Sequence, residues 1–223
     1  MKNVFMPILL FILSISAAFS QVHPGLKSGK ITFEIAYTDD KMDEDMKAFL
    51  PTESTLYFKG DRSRMETGMA MGKSITITDQ SRKKSVVLMD FMGNKIAIES
   101  DLSKDSSQVK RDLNLHVEHL DGEKAIAGYN CKKARVTQKQ EGKEYAFDVW
   151  YTDEIGSHNG LAYGLEEIKG CMLEFEIVQN AMQMRMTTKS IEKIDVNDDM
   201  FEIPQGYTLK SIDEMKSMMG GGR

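Results

Sequence analysis

From Lys30 onward, apolar and polar residues alternate with a period of two, and this constrains the chain more than any other feature. Successive side chains of a strand point to opposite faces, so such alternation buries one face of a sheet and wets the other. Ile31, Phe33, Ile35 and Tyr37 set the pattern. Leu56 and Phe58, then Ile75 and Ile77, then the denser run from Val86 to Phe91, then Ile96 and Ile98 continue it. Lys59-Gly60-Asp61 and Met92-Gly93-Asn94 are short Gly-containing links of the kind that join antiparallel neighbours. The second half behaves alike, with Leu113, Leu115 and Val117, then Tyr145, Phe147, Val149 and Tyr151, then Leu173, Phe175 and Ile177, and a last long strand from Met182 to Ile194. The expected fold is mostly β: a strongly curved antiparallel sheet, a half-barrel with one to three short helices. Roughly eight to eleven strands do not stay flat in one sheet. Helical spacing is confined to Asp39–Leu50 and Ser211–Met219, and Asp101–Asp112 is either a short helix or a polar loop.

The first twenty residues break the pattern. Lys2 gives a positive start, Val4 to Ile15 is almost unbroken apolar sequence, and Ala18 and Ser20 are the small residues before a cut at Gln21. The apolar run is shorter than the ~20 residues a spanning helix needs, and Pro7 interrupts it, so a cleaved signal peptide is expected over residues 1–20. A linker over 21–28, one β-rich domain over 29–210 and a short helix with a Gly-rich tail over 211–223 complete the expected organisation. The mature chain is then exported, periplasmic or secreted, with no transmembrane segment. Loss of Lys2 takes the formal charge of −5 to −6, which disfavours nucleic acid as a partner.

Two cysteines, Cys131 and Cys171, remain in a chain expected to meet an oxidising compartment. A bridge between them is expected, closing a loop of about 40 residues and contributing on the order of 4 kcal/mol. The alternative is two buried thiols. Cys171 shares its parity with Leu173, Phe175 and Ile177, so its side chain is expected to point inward. The strand Tyr145–Tyr151 speaks against the bridge, because an intervening strand would hold the cysteines about 10 Å apart.

No motif reads as a catalytic site, and an enzyme is not expected. His116, Glu118 and His119 resemble metal ligands, but on a strand His119 faces away from the other two, and zinc needs three or four convergent ligands; no metal or cofactor is expected. Ser157 and His158 lie in a Gly-rich stretch without a nucleophile-elbow pattern and read as a solvated loop. Asp153 and Glu154 are adjacent, diverge on a strand, and read as a turn. Met182, Met184 and Met186 alternate strictly, so all three thioethers share one face. Their spacing of about 7 Å is too long for one copper(I) ion, and methionine is an adaptable lining for apolar cavities. With 17 methionines in 223 residues, that lining role carries weight.

Four segments, Tyr57–Glu66, Ile126–Ala134, Val149–Ile155 and Phe201–Tyr207, together resemble an uncharacterised domain-of-unknown-function family of exported Bacteroidota proteins. The second and third also resemble the related GLPGLI family, although this chain has Tyr163-Gly164-Leu165-Glu166-Glu167-Ile168 where that family carries its name motif. The resemblance supplies no catalytic residue. It implies a curved sheet similar to the LolA and LolB lipoprotein carriers, whose concave face holds acyl chains. The functional expectation is a soluble binding protein with a lipid or other apolar ligand on its concave face, lined by Met182, Met184, Met186, Leu173, Phe175 and Ile177. The rival is a non-catalytic structural or interaction protein of the envelope, with a filled core and a protein partner.

Overall fold

The computed structural model describes residues 25–38, 42–70, 72–91, 93–140, 142–158, 164–179, 182–211 and 214. The expected signal peptide and the first half of the linker, residues 21–24, lie outside these residues. So do the C-terminal helix and tail, apart from Ser211 and Glu214.

Alternation does produce strands. They are β1 (Ser28–Tyr37), β2 (Glu53–Lys59), β3 (Arg62–Met69), β4 (Gly72–Asp79), β5 (Lys84–Phe91), β6 (Asn94–Asp101), β7 (His116–Ile126), β8 (Tyr129–Gln140), β9 (Lys143–Thr152), β10 (Cys171–Gln179), β11 (Met182–Glu192) and β12 (Thr208–Ser211). They form one 12-stranded sheet in the order β12-β6-β5-β4-β3-β2-β1-β11-β10-β9-β8-β7. Every pairing is antiparallel except β12 on β6, and the sheet stays open between β7 and β12, giving a curved half-barrel. β12 was not anticipated: four residues after Pro204 carry too little alternation to be read as a strand.

Curvature has a local cause in extra residues that bend one strand of a pair. Lys189 is the extra residue of β11 against β1, Leu173 that of β10 against β9, and Asp121 with Gly122 those of β7 against β8. At the β7–β8 turn, Ala127 and Gly128 both have positive φ, 48° and 89°, the backbone twist that suits a two-residue hairpin link.

Among the described residues, two short α-helices and a 3-10 helix, Asp198–Phe201, accompany the sheet. α1 (Glu44–Lys47) covers only part of the expected helix Asp39–Leu50, whose residues 39–41 lie outside the described residues; of Met42, Met46, Phe49 and Leu50, which fall at helical spacing, Met46 and Phe49 are 57% and 69% exposed. α2 (Leu102–Asp112) is the segment left open between helix and loop. It is a helix because the Asp101 carboxylate accepts a hydrogen bond from the Ser103 backbone N–H at 2.9 Å, capping its first turn.

The sheet is buried on both sides, by different means. On the inner face, Ile31, Phe33, Leu56, Phe58, Val136, Val149 and Phe175 belong to one large apolar cluster, which Leu165 and Ile168 of the β9–β10 connection join. On the outer face of β4–β6, Ile75, Ile77, Leu88 and Ala97 are covered by Val196 and Phe201 of the C-terminal segment. That segment is held down by an Arg62–Asp198 ion pair, by Lys59 donating to the Val196 carbonyl at 3.0 Å, and by Arg64 donating to the Met200 carbonyl at 3.0 Å. The Arg62 guanidinium also lies 4.9 Å above the Phe201 ring.

Candidate functional site: the inner face of the sheet

Antiparallel partners share a face, so the register places the expected lining residues directly. Ile35 pairs with Met186 and Met186 with Phe175; Tyr37 pairs with Met184 and Met184 with Ile177. Met182, Met184 and Met186 therefore stand together with Phe175 and Ile177 on one face, and that face is the inner one. Phe33 meets Phe175 edge to face, with centroids 5.9 Å apart. Leu173, the extra residue of β10, lies in the same cluster.

The six differ in depth. Leu173, Phe175 and Met186 are inside the filled core, whereas Met182, Met184 and Ile177 are half-buried. The half-buried three lie at the end of the strands where β10 turns into β11, and Tyr37 and Tyr145, also half-buried, stand at that end. The inner wall is thus packed at one end and accessible at the other. The exposed Met46 and Phe49 follow β1 on the accessible side.

Along β8, Ala134, Val136 and Gln138 alternate inward, and Gln140 follows in the same phase. Gln138 is opposite Tyr145 and only 6% exposed. The Gln138 Nε2 and the Gln140 Oε1 are buried without a hydrogen-bond partner among the described residues. Nothing in the sequence pattern singled these two out, because glutamine in a strand reads as its wet face.

Across β2–β6 the inner face changes from apolar to hydroxylated. Phe58 pairs with Ser63, Ser63 with Thr78, Thr78 with Ser85, and Ser85 with Ser100, all buried. The packed end is closed by the connection after β9. There His158 stacks on Phe58 with ring centroids 4.7 Å apart and is 3% exposed. The expected solvated loop is therefore corrected: burial pushes the imidazole down to about 4, against a weaker opposing pull from Asp61. It is neutral at pH 7, and its Nδ1 has no hydrogen-bond partner among the described residues.

The expected disulfide is not formed; both cysteines are buried free thiols. Cys171 pairs with Thr152 of β9, and Cys131 lies one step beyond the Lys132–Tyr151 pair on the other side of that strand, so β9 separates them. Two strand spacings are about 10 Å, beyond the ~7 Å that a bridge allows between Cα atoms. Cys171 is buried, as its parity predicts, in the same apolar cluster as Leu173 and Phe175. Burial raises the thiols to about 11 for Cys131 and about 12 for Cys171. Both stay protonated at neutral pH, the unreactive form.

The remaining polar groups are dispersed. His119 Nδ1 is 3.1 Å from the Tyr151 hydroxyl, while Glu118 pairs across to Arg135 on the opposite face. No group of three or more metal-ligating side chains occurs among the described residues. Asp153 forms an ion pair with Lys132, and Glu154 accepts from the Asn130 backbone N–H at 3.1 Å, so the two carboxylates diverge.

A family model described as "Domain of unknown function (DUF4412)" matches residues 29–165. The chain belongs to the DUF4412 family. The match runs from β1 through β9 and ends before β10 and β11. No curated protein matches this DUF4412 chain. Among solved structures it is similar to LprF from Mycobacterium bovis, 12% identical over 80% of this chain and 90% of that one, with a TM-score of 0.32. It is also similar to a beta-barrel-like protein of domain of unknown function DUF1849 from Brucella abortus, 8% identical over 76% of this chain and 99% of that one, with a TM-score of 0.35. No helix among the described residues of the DUF4412 chain is long and apolar enough to cross a membrane.

Proposed function

We propose that this DUF4412 protein is an exported, non-catalytic binding protein, periplasmic or secreted, that holds a lipid or another apolar molecule on the inner face of its sheet. The observation that carries the reading is the graded burial of that face. Leu173, Phe175 and Met186 form a packed floor, and Ile177, Met182 and Met184 continue it as an accessible apolar wall. Methionine suits such a wall because its unbranched thioether repacks around ligands of different shape. The protonated thiols supply no nucleophile at neutral pH, which agrees with a binding role.

The filled lower half favours a second reading, an envelope protein whose core is complete and which docks a protein partner. Native mass spectrometry with solvent extraction of the purified protein separates the two. A stoichiometric adduct that extracts as lipid or another apolar molecule is expected. A single unliganded mass, with nothing apolar recovered after expression in a host that exports the protein, would sink the binding role.

A further inference from the structure

Two amide side chains at the accessible end of the inner face, the buried Gln138 and the half-buried Gln140, have no role in the fold described above. Gln138 and Gln140 project from β8 in the phase of Ala134 and Val136, so they face the interior. The Nε2 of one and the Oε1 of the other are out of contact with solvent and lack partners among the described residues. A buried polar atom left unpaired is costly, and pairing it with a ligand recovers that cost. Together the two offer one donor and one acceptor.

Their surroundings are mainly apolar, with one cation beside them: Lys143 is paired with Gln140 across β8–β9 and is exposed to solvent. Leu115, Val136, Tyr145 and Phe147 are the neighbouring inner-face positions, and Lys139, between the two glutamines, faces outward to pair with Glu144 at 3.5 Å. The cations of the last turn of α2 are engaged elsewhere, Lys110 with Glu167 and Arg111 with Gln108. A carboxylate or phosphate head could reach toward Lys143, but it would have no proton to give the Gln140 oxygen, which would stay unpaired.

We propose that Gln138 and Gln140 form the polar end of the inner-face site and select an amphiphile whose uncharged head both donates and accepts a hydrogen bond, as a primary amide or an alcohol does. This rests on the reading of the inner face as an apolar site and adds the class of ligand.

The test is displacement of a fluorescent apolar probe, N-phenyl-1-naphthylamine, from the delipidated protein by three molecules of equal chain length: dodecanamide, dodecanoate and dodecane. Wild type should bind the amide about tenfold more tightly than the other two, the size expected for satisfying buried unpaired groups. Gln138→Leu and Gln140→Leu remove an orphaned polar atom rather than a structural bond, so both should fold. In each, amide affinity should fall toward that of dodecane while dodecane affinity stays unchanged. Equal affinity of wild type for all three, or an amide preference that survives in both variants, would overturn the selection while leaving the apolar site standing. Absence of binding by all three would overturn the apolar site and the selection with it.

Discussion

His158 makes the stability of this protein fall on mild acidification, before its carboxylates titrate. The imidazole is held neutral near pH 4 in the folded protein, chiefly by burial, whereas an exposed histidine titrates near 6.5. The unfolded chain therefore binds the extra proton first as pH drops. The stabilising difference is complete above pH 6.5 and is lost progressively between 6.5 and about 4. Between pH 7 and pH 5 the loss amounts to about 2 kcal/mol. Asp79, Asp148, Asp153 and Asp198, all held below the usual carboxylate range, contribute their own loss only at lower pH. Urea unfolding at pH 7 and pH 5 isolates the histidine when wild type is compared with His158→Leu. The variant gives up the stack on Phe58 but also removes the unpartnered Nδ1, so at pH 7 it should lie within about 1 kcal/mol of wild type. At pH 5 it should be the more stable of the two by roughly 2 kcal/mol. Equal losses for wild type and variant over that interval would refute a buried neutral imidazole.

Other consequences are equally accessible. Phe201→Ala empties the space beneath the C-terminal segment and removes the ring under Arg62, so chemical unfolding should show a loss of about 3 kcal/mol, with no loss if the segment is not docked. Mass measurement after alkylation without reductant should show no label on the native protein and two labels after unfolding in denaturant. An unlabelled unfolded protein would mean that the cysteines are bridged after all. Gly170→Ala should prevent normal docking of the β9–β10 connection, because a Cβ there would lie 2.3 Å from the Thr152 carbonyl oxygen; wild-type stability in that variant would contradict the close approach.

The sheet itself was legible in the sequence because its inner face needs period-two alternation, and β1, β9 and β11 carry that alternation almost without interruption. The extra residues were not legible. Leu173 is as apolar as its neighbours, and nothing in its identity marks the point where β10 shifts register against β9. Helical spacing at Met42, Met46, Phe49 and Leu50 corresponds to the single turn α1, and the exposed Met46 and Phe49 show that apolar residues in a connection can copy the helical period without being buried. Of the site, the methionine wall could be read from spacing, whereas Gln138 and Gln140 could not, since a polar residue turned inward looks the same in sequence as one turned outward. The four family-like segments also gain a physical meaning. Tyr57–Glu66 and Phe201–Tyr207 meet on the outer face where the Arg62 guanidinium lies over the Phe201 ring. Ile126–Ala134 and Val149–Ile155 meet through the β8–β9 register, the Lys132–Asp153 ion pair and the Asn130–Glu154 hydrogen bond. These contacts hold the half-barrel in shape rather than bind a ligand.

The most direct measurement of the inner-face site is a titration of N-phenyl-1-naphthylamine into wild type, Met184→Glu and Thr187→Lys. Met184 lies on the accessible inner wall, and Thr187, on the same strand, is paired with Glu34 and Glu174 on the opposite face. Saturable fluorescence enhancement is expected for wild type and for Thr187→Lys. Affinity should fall at least about tenfold in Met184→Glu, because a carboxylate would have to be buried against the probe. An absence of saturable binding to wild type, or equal affinities for all three proteins, would contradict a ligand site on the inner face.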